Sequence, residues 1–263
     1  MAITTFDGYI ASAKQLIPWT KTATRTTVST GWFSLIDIAG NPGGGTLAGT
    51  STTTGVVPDD AVAGFPPIST FGGGATGYLT NMLCGSSVAC RLMLFDMLWK
   101  GGAYAFNAST SGNTPTSYSA RIPDSNYSGT QIWLEQVTAA TGVQNVAVTY
   151  INQSGTAGRT TGTVATAANT VGRMFPLPLQ AGDSGVQGVT GVVGSVATAG
   201  TFNILVLRPL WTGRIGLANI TIGHDLSFTG MPQVFDTSAL FPIVSADSTS
   251  SGVPDLLMTI ANG

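Results

Sequence analysis

The chain has 263 residues, a formal net charge of −2 and only 8% charged residues, against about a quarter in ordinary soluble domains. Its ten basic residues form no cluster, which argues against a nucleic-acid-binding domain, and its longest apolar runs, such as ILVL at 204–207, are too short to cross a bilayer. Thirty-five glycines and abundant threonine and serine disfavour long helices and suit short strands joined by turns.

Residues 4–17, TTFDGYIASAKQLI, predict a helix. Phe6, Ile10, Ala13 and Ile17 fall on one stripe, Thr5 or Asp7 caps the start, and Pro18 is the expected stop. So short a helix is marginal in water, and its stripe must dock on its own domain or on a neighbouring subunit. The opening segment lacks the basic start and apolar core of a secretory signal, so synthesis in a host cytoplasm is expected.

Residues 18–78 read as irregular, with one strand-like piece in GWFSLIDIAG. The long glycine- and proline-rich connection carries Leu47, Val56, Val57, Val62, Phe65, Ile68 and Phe71, too many apolar residues for a disordered linker. It is expected to be an extended arm pinned against a surface. Asp59-Asp60 reads as a solvated turn, because no D-x-D-x-D spacing accompanies it. FGGGATG at 71–77 lacks the Lys-Ser/Thr of a phosphate loop.

Residues 79–106 are strongly apolar and alternate as a strand does, with a helix ending at Gly101 the alternative reading. Cys84 and Cys90 lie within them and read as buried free thiols, since neither a disulfide in a reducing cytosol nor a complete zinc site fits. A polar loop follows. From 130 onward come short runs separated by turn residues: QIWLEQVTA, VQNVAVTYINQSG, RTTGTVATA, MFPLPLQAG, GVQGVTGVVGSV and TFNILVLRPL. Strands at this spacing are the signature of an antiparallel sandwich or barrel. The fifth run places glycine at 185, 188, 191 and 194 between Val186, Val189, Val192, Val193 and Val196. It predicts a strand approached too closely for large side chains.

The fold predicted is all-β, an antiparallel β-sandwich or jelly-roll-like domain. Three regions are expected: a short helix and extended arm (1–78), a sandwich core (79–215) and an irregular tail (216–263) packing on the core or on a neighbour.

The sequence offers little for catalysis. His224 is the single histidine, Asp225 is merely adjacent to it in sequence, and no G-x-S-x-G elbow occurs. Glu135 is the single glutamate, and nothing in the sequence selects an aspartate to pair with it. No catalytic residue, cofactor or metal site is assigned. The five tryptophans, Trp19, Trp32, Trp99, Trp133 and Trp211, read as core or contact residues, with sugar stacking the functional alternative.

Two stretches, GTQIWLEQVTAATGVQNVAVTYINQSGTAGRTTGTV and GRMFPLPLQAGDSGVQGVTGVVGSVATAGTFNILVLRPLWTG, resemble structural proteins of tailed bacteriophage virions, as does the low-charge opening. The class most similar is the capsid decoration, or cement, protein on the shell exterior. The resemblance implies a non-enzymatic role, with the major capsid protein and copies of itself, as a trimer, for partners, and neither nucleic acid nor membrane among them. The alternative is a tail or fibre β-sandwich binding carbohydrate or a host receptor. Subunit contacts are expected at Phe6, Ile10 and Ile17, at Phe65 and Phe71 in the arm, and at Phe235 and Phe241 in the tail.

Overall fold

The computed structural model describes all residues except 1–2, 4, 74, 108, 112–113, 143, 167–169 and 195–198, so Gly74 and Val196 lie outside the described residues. A single turn and a half of helix, α1 (Phe6–Ala11), opens the chain. The strands follow as β1 (Ala13–Lys21), β2 (Trp32–Ser34), β3 (Gly40–Asn41), β4 (Ser51–Val56), β5 (Gly77–Ser86) and β6 (Cys90–Ala105). Next come β7 (Ser109–Ser111), β8 (Gln131–Gln136), β9 (Gln144–Asn152), β10 (Arg159–Thr160), β11 (Val164–Thr166) and β12 (Arg173–Leu177). The last third contains β13 (Val186–Gly194), β14 (Thr201–Ile215), β15 (Thr221–His224), α2 (Leu226–Thr229), β16 (Gln233–Val234), β17 (Leu240–Ala246) and β18 (Pro254–Asn262).

The architecture is all-β and antiparallel. Its centre is a closed barrel, in which β14, β8, β12, β2, β17 and β6 pair in turn and β6 returns to β14. Closure leaves these strands no open edge. Alternation along the strands divides their side chains between inside and outside. Phe95, Met97, Trp133, Met174, Leu205, Leu207, Phe241 and Ile243 fill the inside. The outward residues form two further cores. One holds Leu92, Leu94, Trp211 and Val244 against the sheet β15–β5–β18–β1–β3. The other holds Leu98, Ile132, Leu134 and Val206 against the sheet β10–β9–β13–β7. β6 and β14 are long enough to serve both.

The expected arm and tail contribute to these layers. β2 and β17 complete the barrel, while β1 and β18 pair over eight positions in the middle of a flanking sheet. The predicted helix over 4–17 is corrected: it ends at Ala11, and β1 begins at Ala13. Ile17, Trp19 and Lys21 then point inward with period 2, and Pro18 sits within the strand rather than stopping it. The pairing with β18 overrides the helical stripe, since local propensity is a weak prior beside tertiary contacts.

The glycine-spaced strand is β13, bulged twice against β9. A Cβ on Gly185 would lie 1.9 Å from the Tyr127 carbonyl oxygen, on Gly188 2.8 Å from the Pro115 ring, and on Gly194 2.5 Å from the Phe106 carbonyl oxygen. The close neighbours are the chain's own. Gly191 differs, with its nearest contact at an ordinary 3.5 Å.

Candidate contact surface and a buried polar cluster

Six of the ten basic and twelve acidic residues, Lys21, Arg25, Asp96, Arg121, Glu135 and Arg208, are buried. Apolar side chains stand out on the surface at one flank. α1 is capped by the Thr5 hydroxyl, which accepts from Gly8 N at 3.0 Å, and buries none of its residues. Phe6 is 66% and Ile10 61% exposed. Beside it lies α2, where the Asp225 carboxylate caps Ser227 N and Phe228 N and Gly230 closes the turn in the left-handed region. Ile3, Thr5, Phe6, Tyr9, Leu226 and Met231 line a groove of about 230 Å³ between them. Phe228 is 75% exposed and stacks on His224.

The surface continues onto the outer face of the adjoining sheet. Pairing registers put Pro18, Leu257, Leu83 and Gly223 in one row across four strands. Leu16, Thr259 and Asn81 form the next row, and Asp255 is the one charge in the row on the other side, with Thr20, Gly85 and Thr221. Exposed apolar residues grouped in this way mark interaction surfaces on soluble proteins.

Of the expected contact residues, Phe6 and Ile10 lie on this surface and Phe235 is half-buried against Arg208. Ile17, Phe65, Phe71 and Phe241 are instead part of the chain's own core. Phe228 and Met231 belong to the apolar set of the tail but, like Leu226, are not among the expected contact residues, because a four-residue helix shows no periodicity. The capping signal, Asp225 with Gly230 five residues on, was the legible trace.

Trp19, Trp99, Trp133 and Trp211 are buried, and the half-buried Trp32 meets Trp133 edge to face, so the five form no shared sugar-stacking platform. His224 accepts from Trp211 Nε1 through Nδ1 at 2.9 Å, while Asp225 caps α2, so the two do not form a catalytic pair. Cys84 and Cys90 are free and buried, with burial raising the Cys84 thiol to about 12. Asp59 and Asp60 accept from Ala61 N and Ile68 N and so order a loop.

A polar cluster lies at one end of the barrel. Glu135 on β8 and Asn203 on β14 are directly paired and fully buried. Asn203 Nδ2 donates to Glu135 Oε2 and to the Leu47 carbonyl, each at 2.7 Å, and Asn203 Oδ1 accepts from Gly49 N at 2.8 Å. Lys100 on β6 places its Nζ 3.9 Å from the same Oε2 and 3.0 Å from the Thr46 carbonyl oxygen it bonds. Glu135 Oε1 has no hydrogen-bond partner among the described residues.

No family model matches the chain, and no curated protein does. Solved structures that align with it include that of the infectious bursal disease virus Gx strain, at 10% identity over 95% of this chain and 80% of the other, with a TM-score of 0.16. The VP2 subviral particle of infectious bursal disease virus aligns at 10% identity, with the same coverage and a TM-score of 0.15.

Proposed function

We propose that the protein is a non-enzymatic virion structural protein that binds an assembled phage shell from outside, as a decoration protein acting with copies of itself. The observation that supports this reading is the group of exposed apolar side chains on α1, α2 and the adjoining sheet. A soluble monomer gains nothing from exposing Phe6, Ile10 and Phe228 together, whereas an assembled one covers them and is stabilised by doing so. The burial of four of the five tryptophans counts against the carbohydrate-binding alternative, which needs open aromatic faces in a groove.

The test is stoichiometry in purified particles, measured by quantitative mass spectrometry against the major shell subunit. A fixed ratio to that subunit supports the shell role. A few copies per particle moves the protein to the tail or fibres, and absence from particles ends the virion reading.

A further inference from the structure

The single glutamate of the chain stands between a lysine and an asparagine side chain inside a closed barrel. Both nitrogens converge on one oxygen, Glu135 Oε2, with Asn203 Nδ2 at 2.7 Å and Lys100 Nζ at 3.9 Å. The strand register explains the convergence. Asn203 faces Glu135 across β14 and β8, and Lys100 pairs with Leu205, two residues along β14 on the same inward side. We propose that Lys100 and Asn203 join in an intramolecular isopeptide bond, with Glu135 carrying the protons.

The reaction needs no co-reactant. Glu135 takes a proton from the Lys100 ammonium, and the neutral amine attacks Cγ of Asn203. The carbonyl oxygen becomes an oxyanion where Gly49 N–H already donates at 2.8 Å, the position a stabilising donor must occupy. Glu135 then moves a proton from the attacking nitrogen to Nδ2, which it already contacts. The Cγ–Nδ2 bond breaks, ammonia leaves, and the new Nζ–Cγ amide remains. The orientation of the Asn203 amide is fixed by its partners, because Nδ2 faces two acceptors and Oδ1 a backbone donor.

Burial favours the step in two ways. Glu135 and Asn203 are fully buried and the Lys100 side chain is 12% exposed, so little water competes for the reacting groups. The unreacted state is also an uneasy one. Its ion pair is too long for a hydrogen bond, and Glu135 Oε1 is orphaned, so two charges are desolvated with incomplete compensation. The product replaces them with a neutral amide beside a protonated carboxyl. Lys100 also lines an apolar cavity of about 200 Å³ with Ile36, Val56, Val62 and Phe65, which gives ammonia a way out. The bond ties β6 to β14, the two strands that serve all three cores. It forms once per chain, so it confers no turnover.

Intact-mass spectrometry of the purified full chain under denaturing conditions tests this. The wild type is expected one ammonia short of its sequence mass, with tryptic cleavage blocked after Lys100 and the Lys100 and Asn203 peptides recovered as one branched species. Glu135→Gln and Lys100→Arg, which keep size or charge, are expected at their full sequence masses. A wild type at its full sequence mass after prolonged incubation overturns the proposal, as does a deficit that maps to another residue. The wild-type readout decides even if a variant fails to fold.

Discussion

Arg208 Nη2 donates to Asp96 Oδ2 at 3.1 Å across the β14–β6 pairing, with both side chains buried where the two outer cores of the barrel meet. The same carboxylate accepts from Ser238 Oγ at 2.9 Å and Ala239 N at 3.1 Å, and faces Arg121 Nη1 at 3.4 Å. One anion therefore holds two guanidiniums and the turn into β17. Removing it leaves two buried cations without the carboxylate that pairs with both. Asp96→Ala is expected to cost about 3–5 kcal/mol in urea unfolding, the usual result of breaking a buried pair from one side. A loss below about 1 kcal/mol would mean that water reaches the cluster and screens it.

The contact surface makes a separable prediction. Phe6 and Phe228 are exposed and support no part of the core, so Phe6→Ser with Phe228→Ser leaves the unfolding midpoint nearly unchanged. Loss of two aromatic anchors from an interface costs upward of about 2 kcal/mol, so affinity for undecorated shells is expected to fall at least about 30-fold. Binding unaffected by the double variant would move the interface elsewhere on the molecule.

Gly185, just ahead of β13, and Gly191 within it are expected to respond with opposite signs. Gly185→Ala drives a Cβ into the Tyr127 carbonyl oxygen at 1.9 Å, where backbone must shift, and overpacking of this kind costs about 1–3 kcal/mol or more. Gly191→Ala meets only the Thr149 side chain at 3.5 Å and restricts the unfolded chain, so it is neutral or stabilising by up to about 1 kcal/mol. Thermal unfolding of the two variants beside the wild type checks both. A destabilised Gly191→Ala would show that slack at this position is needed for the bulge between Val189 and Gly191.

The contrast also marks what the sequence could convey. Valines alternating with glycines disclosed a crowded strand, and that reading needed only local information. Barrel closure depends on β2 meeting β12 and β17, strands well over a hundred residues away, and periodicity names no partner. β1 shows the converse failure: Phe6, Ile10, Ala13 and Ile17 fit a helix, yet pairing with β18 turned Ile17 and Trp19 to a period of 2. The buried cluster was half visible. Lys100, Glu135 and Asn203 each interrupt an apolar run, in LWKGG, IWLEQ and FNILVL, but only strand register brings them together.

Lys21 gives the pH dependence. Its ammonium donates to the carbonyl oxygens of Ile38 at 3.0 Å and Pro42 at 3.4 Å and lies 5.0 Å over the Trp19 ring, and burial lowers its pKa from 10.5 to about 8 against the opposing pull of Asp37. Between these values the unfolded chain holds a proton that the folded chain has shed. Stability therefore rises with pH across that window, and the cost of the buried charge is full below about 8. Lys21→Met removes the titration and leaves the two carbonyls without their donor, an offset that does not vary with pH. Cys84 and Cys90 titrate the opposite way, since burial raises both, but they do so equally in the two proteins. Urea unfolding of wild type and Lys21→Met at intervals from neutral to alkaline pH is expected to show the wild type gaining relative to the variant as pH climbs. A difference that stays flat would show that the ammonium is solvated in the folded chain.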